Sequence, residues 1–299
     1  MTTHLAPEIA PLLELSDWER RNAIESTKWI PYTRAQEVIM QMRNMVRQVA
    51  SHRPQNMLIV GVTNNGKTSI LRKFVAEYAP SPRDSDGRLI WPVFYVQAPA
   101  EPDEKRFYNG ILERACVPFR LADTASKKQQ QVIHVLKHME VKVLVIDEIH
   151  NILVGSQSKQ RVFLNVIRHL CNELMIPFVC AGIETAANAM HYDTQLSNRF
   201  EPEILPNWGM NDDYIRLLLN FEELLPIKEE SFLADEDIAY KLLSMSEGTI
   251  GELSNLLKLA AITAIENKTE KITVSLLSKL KYTVPSERMK VAKHLKPKP

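Results

Sequence analysis

In Gly61-Val-Thr-Asn64-Asn65-Gly66-Lys67-Thr68 a lysine and a hydroxyl stand directly behind a glycine-bearing turn, with the spacing G-x-x-x-x-G-K-T. The chemistry this suits is the holding of polyphosphate. A tight loop offers several backbone N–H groups to one anion, and the positive end of the next helix adds to them. Gly66 lets the backbone come close without a Cβ in the way. Lys67 is placed for the β- and γ-phosphates and Thr68 for Mg²⁺, with Gly61, Asn64, Asn65 and Ser69 completing the cradle. The plain alternative is a chance match at a helix N-terminus. The flanks argue against it, since Met57-Leu-Ile-Val60 reads as a strand and Ser69-Ile-Leu-Arg-Lys-Phe-Val75 as a helix.

A second constellation, Val143-Leu-Val-Ile146-Asp147-Glu148, is an apolar run followed by two acids. A buried strand carries Asp147 to a sheet edge, where its carboxylate can hold Mg²⁺ directly or through water. Glu148 then sits where it can polarise a water for attack on a γ-phosphate, a role that a hydrolase needs and a small-molecule kinase does not. Strand ends often carry solvated acids, so the pair is informative only in company with the phosphate loop, about eighty residues upstream. His150 can contact nucleotide or signal across a subunit boundary; a loop histidine packed or solvated near the site is the commoner case. Arg199, in Leu196-Ser-Asn-Arg199-Phe200, can reach a neighbouring subunit's γ-phosphate as an arginine finger, or form a surface salt bridge of small energetic weight.

These groups need a scaffold, and hydrophobic periodicity supplies one. Strand candidates are residues 57–60, 93–96, 143–146, 178–181 and 203–205. Val162, Phe163, Val166, Ile167, Leu170 and Leu174 share one helical face between the third and fourth of them. Short apolar strands alternating with helices predict an α/β fold, a five-stranded parallel sheet covered on both faces, with ligands at the carboxyl ends of the strands. Upstream, Pro7 and Pro11 keep the first residues irregular, Ser16-Asp17 starts a short helix, and Val38, Ile39, Met42, Met45, Val46 and Val49 form the apolar face of a second. From about residue 207 the pattern turns all-helical, with helices over 214–221, 235–243, 251–265 and 274–280 and breaks at Gly248 and Asn267. The division expected is an N-terminal helical extension (1–50), a nucleotide-binding core (51–208), a helical lid (209–284) and a basic tail (285–299). The tail carries Lys290, Lys293, Lys296 and Lys298, and its last ten or so residues are expected to be disordered.

Composition narrows the class. A formal charge of +1 argues neither for nor against nucleic acid, so any such case rests on local patches. Cys116, Cys171 and Cys180 show no CxxC spacing, and three thiols in or near apolar stretches read as reduced, buried small hydrophobes. The first residues lack a charged segment followed by an apolar core, and no apolar run approaches bilayer length, so a cytoplasmic protein without a membrane partner is expected.

With Arg199 and the trailing helices, the two motifs resemble those of the AAA+ P-loop ATPases. More specific stretches are similar to the TniB family of transposition ATPases, relatives of TnsC and more distantly of MuB. They are Trp29-Ile-Pro-Tyr32-Thr-Arg-Ala35, Asp147-Glu-Ile-His-Asn-Ile-Leu153, Gln160-Arg-Val-Phe-Leu-Asn165, Asp193-Thr-Gln-Leu-Ser-Asn-Arg-Phe200, Leu205-Pro-Asn-Trp208, Phe221-Glu-Glu-Leu-Leu-Pro226 and Ser246-Glu-Gly-Thr-Ile-Gly-Glu-Leu253. The resemblance spans roughly residues 28–275. It implies a bacterial regulator of DNA transposition that binds ATP and Mg²⁺ and assembles on double-stranded DNA, without sequence preference, as a homo-oligomeric ring or helical filament. Its further partners would be a DDE transposase of the TniA or TnsB kind and a target selector like TniQ. By resemblance Lys67 and Thr68 bind phosphate and Mg²⁺, Asp147 binds metal, Glu148 is the catalytic base and Arg199 the finger in trans. Ile30 and Tyr32 fall where the superfamily touches adenine, although a hydrophobic-core role suits either.

The sequence departs from that pattern twice. Where a polar sensor usually follows the fourth strand, the order is Gly182-Ile183-Glu184-Thr185, so Ile183 cannot serve, and either Glu184 or Thr185 substitutes or sensing is weak. In the lid, Gly251-Glu252 stands where many AAA+ proteins have an arginine. Both departures suit a slow switch better than a motor. The stretches matching DNA-gripping loops of relatives include Lys105, Arg106, Arg120, Lys127 and Lys128, whose plainer reading is solvated helix ends. Two other functions stay open on the residues: a protein-remodelling AAA+ motor, although the stretch after Val96 lacks the aromatic pore loop usual in such motors and only Phe107 and Tyr108 follow, and a nucleotide-gated adaptor that binds only proteins.

Overall fold

A computed structural model describes residues 4–26, 29–49, 51, 53–83, 85–153, 155–192 and 194–294. After a 3-10 turn at Ala10–Glu14, α1 (Asp17–Glu25) starts at Ser16 in a reciprocal capping box. The Ser16 hydroxyl accepts from the Glu19 N–H, and the Glu19 carboxylate accepts from the Ser16 N–H at 3.0 Å. α2 (Thr33–Arg47) buries Ala35, Val38, Ile39, Met42 and Met45, whereas Val49, which the spacing puts on the same face, lies beyond the helix end and is 89% exposed. β1 (Asn56–Val60) and α3 (Lys67–Ala76) bracket the phosphate loop. A small hairpin, β2 (Ser81–Pro82) with β3 (Leu89–Ile90), precedes β4 (Val93–Gln97), α4 (Glu104–Arg114) and α5 (Ala125–His138). β5 (Val143–Asp147), α6 (Gln157–Leu174), β6 (Phe178–Gly182), α7 (Glu184–Tyr192), the single turn α8 (Thr194–Ser197) and β7 (Phe200–Ile204) follow. The rest is helical: α9 (Asp212–Glu223), α10 (Glu236–Ser246), α11 (Ile250–Glu266), α12 (Val274–Lys279) and α13 (Pro285–His294).

The main sheet has the order β4-β5-β6-β1-β7 and every pair in it is parallel. β1, β5 and β6 are buried along their whole length, as strands covered on both faces must be. The last strand begins three residues earlier than its apolar pattern suggests. β7 lies at the sheet edge, where Glu201, Pro202 and Glu203 are compatible with strand pairing on one side only, and such residues mask the strand in the sequence.

The chain packs as two units, and their boundaries differ from those expected. Arg34–Thr63 with Lys67–Pro206 forms the sheet unit, so α2 belongs with the sheet rather than with an N-terminal extension. Its core runs through Phe94, Ile111, Leu136, Ile146, Ile167, Leu170, Phe178 and Cys180. The second unit gathers the helices from Asn207 on, the N-terminal residues up to Thr33, and the loop tip Asn64–Gly66. There Ile24 of α1 joins Tyr214, Leu217, Leu256, Leu257, Ile272 and Leu277. Arg20 is 1% exposed, and its guanidinium donates to the Pro226 carbonyl (3.1 and 2.8 Å) and to Glu270 (2.8 Å). A charge can be buried in this way when its donors are matched. Glu270 is held below the usual carboxylate range; burial works against this, and Arg20 with the Lys228 N–H outweighs it.

Two further expectations are corrected. The tail is helical from Pro285 to His294, where Arg288 pairs with Glu252 and the Ser286 N–H donates to Glu247 at 3.1 Å; residues 295–299 lie outside those described. Cys171 and Cys180 are buried as expected, but Cys116 is exposed, in a left-handed turn just past α4 (φ 54°). Among the described residues no helix is long and apolar enough to cross a membrane.

Candidate nucleotide site

The strand–loop–helix unit forms as its sequence implies. β1 delivers Gly61 to the carboxyl edge of the sheet, and α3 starts at Lys67 itself. Between them Asn64 (φ 63°) and Gly66 (φ 84°) take left-handed conformations, the alternation that turns successive N–H groups toward one point. Gly66 has a second reason to lack a side chain: an added Cβ would lie 3.2 Å from Ile250 and 3.7 Å from the Tyr32 hydroxyl. Asn65 is buried and Ser69 exposed in the first turn of α3. Ile30 and Tyr32 both pack partly buried against the helical core, Tyr32 edge-on to Trp208 at 5.2 Å, so each has the core role that the sequence left open.

Lys67 is 6% exposed, and its ammonium donates to the carbonyls of Gly61 (2.8 Å) and Val62 (2.7 Å). Burial lowers its pKa, and the nearby Glu148 and Asp147 oppose the shift. A desolvated cation held by neutral carbonyls is a strong attractor for an anion, which is the property a polyphosphate cradle requires. Thr68 donates its hydroxyl to Asp147 Oδ2 at 2.8 Å, so the two expected Mg²⁺ partners are adjacent. Among the described residues no three acids, histidines or cysteines cluster to hold a metal by themselves. One hydroxyl and one carboxylate suit Mg²⁺, which takes few protein ligands and completes its shell with phosphate and water.

The neighbours Asp147 and Glu148 are treated differently. Asp147 is 1% exposed and accepts three hydrogen bonds, from Thr68, from the Tyr95 hydroxyl (2.9 Å) and from the Glu148 N–H (2.8 Å). Glu148 is left-handed (φ 55°), a conformation that costs a non-glycine residue on the order of 1–3 kcal/mol and turns its side chain off the strand. Its carboxylate is a third exposed and lies 3.1 Å from His150 Nε2. His150 is therefore packed beside the site, against Glu148, and its Nδ1 is buried without a partner. Tyr95 escaped the sequence reading. A phenol in an otherwise apolar strand was the available signal, because a buried hydroxyl needs a partner. Burial and the Asp147 charge push its pKa up to about 12, so it stays a donor.

Arg199 precedes β7 at the amino end of the sheet: its carbonyl accepts from the Asn56 N–H, and Asn56 pairs with Phe200. Gly61 lies past the other end of β1, roughly 17 Å away at about 3.3 Å per strand residue. Its own chain's phosphate loop is out of reach, and the guanidinium donates to Asn172 at 2.6 Å. After β6, Ile183 is half-buried and offers no polar side chain, and Glu184 and Thr185 are exposed. Glu252 is 8% exposed and accepts from Asn64 (3.0 Å), Tyr282 (2.6 Å) and Arg288. Lys105, Arg106, Arg120 and Lys127 are exposed, with Arg106 beside Asp103 (3.6 Å) and Lys127 beside Asp123 (2.9 Å). Lys128 is not a surface cation: it is fully buried, bonded to Asn109 and lying over the Phe119 ring, because its α5 position faces α4.

Comparison with known proteins bears on the fold and the family. No curated protein matches the chain. Aeropyrum pernix ORC1, solved in complex with DNA, aligns with a TM-score of 0.61 at 17% identity, over 91% of this chain and 69% of that one. Aeropyrum pernix ORC2, solved as ADPNP–ADP complexes, gives 0.62 at 15% identity, over 90% and 74%. A Walker-type ATPase of Pyrococcus abyssi gives 0.51 at 12%, over 91% and 77%. At such identities the likeness is one of fold: a five-stranded parallel sheet among helices, with further helices after it. The family model of the bacterial TniB protein matches residues 20–210, which takes in the phosphate loop, the acidic pair and Arg199, and the chain belongs to the TniB family.

Proposed function

We propose that this chain is an ATP-dependent, DNA-binding regulator of transposition, working in the bacterial cytoplasm. It assembles as a homo-oligomer on duplex target DNA and recruits or activates a DDE transposase, with slow ATP hydrolysis controlling disassembly. The observation that carries the nucleotide part is the contact of Thr68 with Asp147 beside the desolvated Lys67. Mg²⁺·ATP, when bound, would bring a metal whose charge offsets that of the phosphates. Lys67 would bind and orient the β- and γ-phosphates, Thr68 and Asp147 would hold the metal, and Tyr95 fixes the Asp147 carboxylate. Glu148 accepts the proton of the attacking water. Arg199 acts on the next subunit's nucleotide, the arrangement that its place at the far sheet edge favours.

The DNA part rests on family membership and on the fold shared with Aeropyrum pernix ORC1, which is described in complex with DNA. Lys105, Arg106, Arg120 and Lys127 are the cations we assign to DNA phosphates, and Lys128 is withdrawn on its burial. The remodelling motor loses its pore aromatics, since Phe107 and Tyr108 are buried in the sheet-unit core. The test is gel shift and negative-stain imaging with generic duplex DNA, in no nucleotide, ATP, ADP and a slowly hydrolysed ATP analogue, with Lys67→Ala as control. Nucleotide-dependent rings or filaments on DNA, absent in the variant, are expected. ATP binding without any DNA complex would favour the protein adaptor.

A further inference from the structure

Glu252 stands where a carboxylate is least expected. It follows Gly251, whose N–H donates to the Asn64 carbonyl at 3.0 Å, and it lies one hydrogen bond from the Asn64 side chain, within the phosphate loop. An acid beside a polyphosphate site opposes binding. The simplest reason for it would be helix capping, because Thr249-x-x-Glu252 at the start of α11 is a capping-box pattern. The structure sets that reason aside: Thr249 makes no side-chain cap, and the Glu252 carboxylate turns to Asn64, Tyr282 and Arg288 instead. Burial opposes ionisation of this carboxyl, yet its bonds to Tyr282 and Arg288 hold it below the ordinary range, so the acid is charged. Arg288 comes from α13 and is half exposed, its guanidinium also lying 5.7 Å from the Tyr282 ring centroid.

We propose that Arg288 is a charge-neutralising residue of the nucleotide site: by pairing with Glu252 it removes an acid's repulsion from the phosphate loop, so that nucleotide affinity depends on α13 being seated. Glu252 in turn is a positioning residue, holding Asn64 through its other oxygen. Whatever engages the carboxyl-terminal segment and draws Arg288 away would then loosen ATP, giving a partner a route to the nucleotide that does not pass through the catalytic residues. The inference rests on the phosphate-loop reading.

The test is equilibrium titration of the full-length protein with fluorescent N-methylanthraniloyl ATP and ADP, with thermal melting of each variant alongside. Arg288→Ala is expected to weaken ATP binding roughly tenfold, the scale of one uncompensated charge several ångströms from a polyphosphate. ADP, with less charge, suffers less, and added salt shrinks the defect. Arg288→Lys, which keeps the charge, binds within about threefold of wild type, and adding Glu252→Gln to Arg288→Ala restores binding by removing the acid. A merely structural role for α13 predicts the opposite for the double variant, which would be as weak as Arg288→Ala or weaker. That result, or unchanged binding by Arg288→Ala, overturns the proposal while leaving the phosphate loop intact. Wild-type protein that binds no nucleotide, like Lys67→Ala, would overturn both.

Discussion

Lys67 and Thr68, at the helix end of the phosphate loop, meet charge: a buried ammonium lies near two carboxylates, and a hydroxyl donates to one of them at 2.8 Å. Three residues earlier, Asn64 meets the Glu252 carboxylate through its side chain and main chain through its carbonyl. Its carbonyl accepts from Gly251, and a Cβ on Gly251 would fall 1.9 Å from Asn64 Oδ1 and 2.7 Å from its carbonyl oxygen. The two ends of one short loop thus rest on different contacts. Desolvated charges act strongly over short distances and suit binding and chemistry. Backbone contact through a glycine is steric and fixes the shape of the loop tip.

The sharpest way to break this contrast is to change the acid that makes few contacts. Glu148→Gln keeps the size of the side chain and removes the proposed base, so ATP turnover is expected to fall about 100-fold or more while nucleotide affinity stays within a few fold. Loss of binding instead would mean that Glu148 shapes the cradle rather than acting on water. Gly251→Ala is the corresponding change at the tip. It forces the contact with Asn64 apart at about 1–3 kcal/mol, so melting falls by several degrees and affinity falls with it. A melting curve equal to wild type would show the tip contact to be dispensable. The smallest effect is at Tyr95→Phe, which deletes one of three donors to Asp147. A loss of about 1 kcal/mol, near fivefold, is expected in the Mg²⁺ dependence of nucleotide binding, with little change when Mg²⁺ is absent. An equal loss in both conditions would assign Tyr95 to packing alone.

Much of this was legible because the informative residues are contiguous. The octad from Gly61 to Thr68 and the acids after Ile146 carry their own flanks, and buried strands announce themselves as apolar runs. What escaped depends on partners distant in sequence. Lys128 looks like its neighbour Lys127, yet Asn109 of α4 and the Phe119 ring take it into the interior. Tyr95 is one phenol in a strand until Asp147 arrives beside it. Glu252 was readable only as a missing arginine; its guanidinium partner lies thirty-six residues on, in a segment whose lysines suggested disorder. The edge strand β7 was mislocated because its acids and proline obscure the periodicity that marks the inner strands.

The cysteines have a practical corollary. Only a thiolate reacts readily with electrophiles. Burial pushes Cys171 up to about 12 and Cys180 well above the ordinary thiol range, and it also hides both from solvent. Cys116 alone faces outward. A maleimide dye at neutral pH is therefore expected to couple once per native chain, at the turn after α4. Denaturation raises the stoichiometry to three, and the natural sequence already carries a single-site handle for fluorescence assays of assembly.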